Sequence, residues 1–150
     1  MYRRSRVAGV SVAAVAALVC SVLPAAASAP APEAGAAYQG HISGTSPSQD
    51  SVTFKVSEDG NRVVDLEIGP YPTDGCGSGG DVPDQSSEPA RIRHGRFTAH
   101  VVFSGEPGIV ARSTVTGTFL RHGKEKGKVT THPTGSPECD ITLPYTTHAQ

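Results

Sequence analysis

Most of this chain alternates apolar and polar residues with a period of two, in short runs cut by turn residues. That pattern marks half-buried strands rather than helices. In Ser51–Val56 the side chains of Val52, Phe54 and Val56 share a face. Ser57-Glu58-Asp59-Gly60-Asn61 then reads as a hairpin turn, because Asp-Gly reaches positive φ at little cost. The partner run is Arg62–Ile68, with Val64, Leu66 and Ile68 expected inward and Asp65 and Glu67 outward. Phe97, Ala99, Val101 and Phe103 alternate across 96–103, and Val115, Gly117 and Phe119 do so within 109–120. Further runs are 38–43, 90–93, 126–131 (Val129 inward) and a last one carrying Ile141, Leu143 and Tyr145. His94-Gly95 reads as a tight turn and 121–125 as a charged turn. Pro144 removes a ladder donor, so the last strand is expected to be an edge or to end there. Residues 69–89 show no periodicity and read as one long loop.

About eight short antiparallel strands therefore make an all-β domain, a barrel-like meander or a β-sandwich. Closure into a barrel would leave no exposed edges. The composition agrees: 17 Gly and 12 Pro among 150 residues, with no Trp, are poor helix material.

The first residues differ in kind. Arg3, Arg4 and Arg6 precede an apolar run from Val7 to Leu23, and small residues follow. This is the layout of a secretory signal over 1–27, cut within Ala25-Ala26-Ala27, with a cut after Ala36 as an alternative. A retained membrane anchor is the alternative, but the apolar run is at the short end for a span and small residues suited to cleavage follow it directly. Acylation of Cys20 would need a small residue where Val19 stands, and the Arg pair alone is thin support for twin-arginine export. The expected organisation is a removed leader 1–27, a disordered Pro/Ala/Gly linker 28–37 with no packing signal, and a secreted domain 38–148 without a membrane span.

Export changes the cysteine and charge arithmetic. Cys20 leaves with the leader, and Cys76 and Cys139 remain as an even pair in an oxidising compartment. Their pairing would close a long loop and stabilise the fold by about 4 kcal/mol in the chain-entropy account. The competing reading is two buried thiols. After the leader, 10 basic residues face 14 acidic ones, a net of −4, which argues against a globally basic nucleic-acid binder.

The charge is segregated. Residues 91–128 hold Arg91, Arg93, Arg96, Arg112, Arg121, Lys124, Lys126 and Lys128 against Glu106 and Glu125 alone, a net of +6. Seven of these, Arg91, Arg93, Arg96, Arg121, Lys124, Lys126 and Lys128, cluster in two turns. If the turns share an end of the domain they form an anion-binding patch for a cell-surface polymer. The bland alternative is two ordinary solvated turns. Exposed aromatics for base stacking are missing from the patch, which argues against specific nucleic-acid binding.

Other chemistry finds less support. Cys76-Gly77-Ser78-Gly79-Gly80-Asp81 superficially resembles a protease nucleophile loop, but the only candidate base, His100, follows the serine and sits on an exposed strand position. Asp74, Asp81, Asp84 and Glu88 crowd one loop without a calcium-site spacing. The six histidines, His41, His94, His100, His122, His132 and His148, show no metal-ligand spacing. Tyr38, Tyr71 and Tyr145 are too few for a glycan platform. No catalytic residue, metal or cofactor is assigned.

Together Tyr38-x-Gly40, Val52-x-Phe54-x-Val56-x-x-Asp59-Gly60, Cys76, Phe97, Gly117-Thr118-Phe119, Gly127-x-Val129 and Cys139 resemble small secreted two-cysteine β domains of high-GC Gram-positive bacteria. The resemblance spans nearly all of the chain after the leader. It implies an extracellular β domain and carries over no functional residue. The leading expectation is a secreted non-catalytic module that binds a surface polymer or a secreted protein. The alternatives are an inhibitor of an extracellular protease, presenting 69–89 or 104–108, and a small secreted hydrolase.

Overall fold

The computed structural model describes residues 30–44, 51–69, 84–105 and 108–150. They form nine antiparallel strands in one curled, half-barrel sheet: β1 (Ala37–Ile42), β2 (Ser51–Val56), β3 (Arg62–Ile68), β4 (Asp84–Ser87), β5 (Ala90–Arg91), β6 (Arg96–Gly105), β7 (Gly108–Phe119), β8 (Lys124–Pro133) and β9 (Ile141–Ala149). The order across the sheet is β4-β6-β7-β8-β9-β1-β2-β3-β5. The only helical element among the described residues is a 3-10 turn, Pro137–Cys139.

One core fills the curl. Tyr38 stacks on Phe54 at 5.0 Å, and Phe97 and Phe119 close the cluster at 5.4–6.2 Å. Such pairs contribute ~0.5–1.5 kcal/mol each beyond their burial. Beyond the rings lie Val52, Ile68, Val101, Phe103, Val115 and Val129, all buried. The expected inward sets of β2, β6 and β7 are the observed ones.

Four expectations need correction. The strand count is nine, because Asp84–Ser87 within the supposed loop 69–89 pairs with β6. Its sequence, Asp-Gln-Ser-Ser, carries no apolar alternation, since its buried contacts are hydrogen bonds. In β3 the inward residue is Val63, not Val64. A bulge shifts the register between Thr53 and Lys55, with Asp65 at φ 51°, and one extra residue reverses which side chains face in. β9 is neither an edge nor cut short at Pro144: it lies between β8 and β1 and runs to Ala149. The backbone of Pro144 faces the end of β1, where its carbonyl accepts from Ser43 N at 2.8 Å, so its missing N–H falls just past the β1–β9 ladder. Finally, Lys124 and Glu125 belong to β8, and the turn before it is confined to 121–123.

The two ends of the sheet meet along 84–96. β4 pairs with β6, β5 pairs with β3, and Arg93 bridges to Arg96. Where β4 faces β3, side chains replace the ladder. Gln85 accepts from Ile68 N at 3.0 Å and donates to Ile68 O at 2.6 Å, and Ser87 donates to Leu66 O at 3.0 Å. The segment before β1, read as a linker without packing signal, lies against the β2–β3 turn: Gly35 N donates to Ser57 O, and Val56 N donates to Ala36 O.

The leader, Cys20 and Cys76 lie outside the described residues. Cys139 ends the 3-10 turn, its amide donating to Ser136 O at 2.9 Å. No helix among the described residues is long and apolar enough to cross a membrane.

Candidate anion-binding face

Two hairpin turns bring the basic residues to one end. His94 and Gly95 both take left-handed φ, 50° and 68°, so Arg93 and Arg96 exchange both backbone hydrogen bonds. His122 and Gly123 do the same at 64° and 63° between β7 and β8. Phe119 N donates to Gly95 O at 2.8 Å, so the first turn is hydrogen-bonded to the end of β7, just before the second turn.

From that end the cations continue over the outer face of β6–β9. Strand pairing sets Arg96, Thr118, Lys126, Thr146 and His41 in one row across the sheet. Thr98, Thr116, Lys128 and Pro144 form the next row, and His100, Thr114, Thr130 and Thr142 the third. Arg112 stands opposite His132, and Lys124 opposite His148. Neighbours along a row are ~4.8 Å apart and successive rows ~6.8 Å. Arg93, Arg96, Arg112, Arg121, Lys124, Lys126 and Lys128 are all exposed, and among the described residues none is in an ion pair. Arg91 is set apart. It lies on β5 opposite Arg62 of β3, at the seam rather than on the face.

The acid expected to temper this charge is absent from the surface. Period two along β8 sends Lys124, Lys126 and Lys128 out and Glu125 in, where it is fully buried. Two facing glycines make room for it. A Cβ at Gly117 would collide with the Phe97 ring and Glu125 Oε1, and one at Gly127 with Thr116 O and the Tyr145 ring. The carboxylate accepts from Tyr145 Oη at 3.0 Å and Thr147 Oγ1 at 2.7 Å, and also from the Thr118 backbone. Burial still outweighs these donors and lifts its pKa from 4.5 to about 7. Burial, with the charge of Glu125, pushes the Tyr145 hydroxyl up as well. The alternation running back from Val129 through Gly127 to Glu125 was the available signal in the sequence. The charged surroundings hid it.

Other acids border the face, Asp140 at His132 and Glu33 at Gly123, and a further group sits on the β1–β4 side. There Asp65, Glu67 and Asp84 line an open groove of about 820 Å³ with Lys55, which pairs with Asp65 at 3.3 Å.

The other candidate chemistries are not brought together. His100 is exposed and shares a 3.3 Å hydrogen bond with Thr114, while Ser78 lies outside the described residues. Asp74 and Asp81 also lie outside them, and Asp84 and Glu88 are exposed. Among the described residues no three His, Cys, Asp or Glu side chains converge. Of the segments considered for protease inhibition, residues 70–83 of the first and 106–107 of the second also lie outside them. Tyr38 and Tyr145 are core residues.

Compared with known protein families, with curated proteins and with solved structures, the chain matches none.

Proposed function

We propose that this protein is an exported, non-catalytic β module that holds an anionic polymer against the outer face of β6–β9 and the two turns at its end. One observation carries the reading. Seven exposed cations without ion-pair partners among the described residues occupy one continuous surface, and the acid of β8, Glu125, is turned inward. Rigid strands fix the backbone positions of these side chains, so a polymer lying across the sheet meets several at once. The flat rows of threonine between them supply hydroxyls for sulfate, phosphate or carboxylate oxygens. Export by the leader 1–27 and a Cys76–Cys139 bond belong to the same reading, because a surface polymer is met outside the cell.

The test is binding of a sulfated or phosphate-bearing polymer across a salt series. The logarithm of the affinity is expected to fall linearly with the logarithm of salt concentration, with a slope that reports the charges neutralised. Combining Lys124→Glu, Lys126→Glu and Lys128→Glu is expected to abolish binding while the domain stays folded, since all three side chains are exposed. An affinity indifferent to salt, or to this triple reversal, would sink the proposal.

A further inference from the structure

All six histidines of the chain are exposed, five of them on β6–β9 or in the two turns at their end and His41 on the neighbouring β1. His41, His100, His132 and His148 point outward from β1, β6, β8 and β9, and His94 and His122 occupy the two basic turns. Four stand directly beside permanent cations. His94 lies between Arg93 and Arg96, and His122 between Arg121 and Lys124. His132 faces Arg112, and His148 faces Lys124. We infer that attachment of the polymer is proton-gated: histidines interleaved with the fixed cations make this face a weak anion binder in mildly alkaline medium and a strong one in acid.

The physical basis is linkage. Histidine changes charge between pH 5 and 8. A polyanion laid along the face favours the charged form of the histidines it covers. Binding therefore takes up protons, and by reciprocity acid strengthens binding by the same factor. Two acids also stand near these histidines: Asp140 Oδ2 lies 2.7 Å from His132 Nδ1, and the Glu33 carboxylate lies against Gly123 beside His122. His41 faces Thr146 and Ser51, and His100 faces Thr114, so neither has a charged partner across the ladder. Beneath the face, protonation of Glu125 acts in the same direction. Full protonation of the histidines would raise the face from seven cations to thirteen.

This inference rests on the polyanion reading, and the experiment separates the two. The probe is dextran sulfate, whose sulfate esters stay ionised throughout, titrated into the full-length secreted protein at fixed ionic strength. From about pH 8 to about pH 5.5 the Kd is expected to fall at least about tenfold. Calorimetry in buffers of different ionisation heat should show net proton uptake at intermediate pH. Combining His94→Gln, His122→Gln, His132→Gln and His148→Gln should return the acid affinity close to the alkaline value. Binding that is equal at both pH values, without proton uptake, overturns the gating and leaves the polyanion face standing. A pH dependence undiminished in the fourfold variant also overturns it, since the histidines beside the fixed cations would then not be the groups that gate binding. No binding at either pH overturns both.

Discussion

Burying a carboxylate without a cation nearby is costly, and Glu125 meets that cost with three hydrogen-bond donors and a raised pKa. The sign of the consequence follows from linkage. Between the unfolded value near 4.5 and the folded value of about 7, the native state holds a proton that the unfolded chain has lost. Stability is therefore fully present below that window and falls as pH rises through it, by about 3 kcal/mol. Glu125→Gln is expected to flatten the urea midpoint between pH 5 and 8 and to match or exceed the wild type above pH 7, because Thr147 can accept from the new amide. Equal slopes for the two proteins would show that some other group titrates. Glu125→Ala would leave the donors unpartnered and cost ~2–4 kcal/mol at any pH. None of this was legible beforehand, since a glutamate flanked by lysines reads as surface until the phase of the strand is known.

At the scale of elements, the weak point is the seam between β3 and β4. Elsewhere strands are joined by backbone ladders, but here Gln85 and Ser87 supply the bonds. Gln85→Ala removes both partners of Ile68, a fully buried residue. The expected loss is ~1–3 kcal/mol, with faster hydrogen exchange at the Ile68 amide than at amides of β7. An unchanged Ile68 exchange rate would mean that the seam is held by other contacts. The strands with strong alternation, β2, β6 and β7, were readable because one face of each is apolar. β4 was not, for its buried partners are polar. The bulge at Asp65 was equally hidden, because Val63 and Val64 are both apolar and the hydrophobic pattern does not say which of them faces in.

At the scale of the whole molecule, and among the described residues, the exposed cations of β6–β9 stand apart from a groove on the β1–β4 side lined by Asp65, Glu67 and Asp84. A covalent link from Cys76 to Cys139 would tie the segment before β4 to the segment before β9. If that link forms, Cys139→Ser in protein folded under oxidising conditions is expected to lower stability by about 4 kcal/mol. Free thiols in folded material from outside the cell, or an unchanged urea midpoint in the variant, would count against the link. The same division of charge predicts that polymer binding leaves the Lys55–Asp65 side exposed, and hence open to a second partner.

Local chemistry was decided along the chain. Period-two alternation specified the strands, Asp-Gly and His-Gly specified turns, and the arginines and lysines of 91–128 specified a positive segment. These are properties of neighbouring residues, so they are written in order. Pairing is not written in order. The contact of Gly95 with Phe119, the row from Arg96 through Lys126 to His41, the central place of a strand containing Pro144, and the burial of Glu125 all depend on which strands lie side by side and in what register. That was settled by the tertiary structure, because a one-residue slip would exchange the two faces of every strand and turn the lysines of β8 into its core.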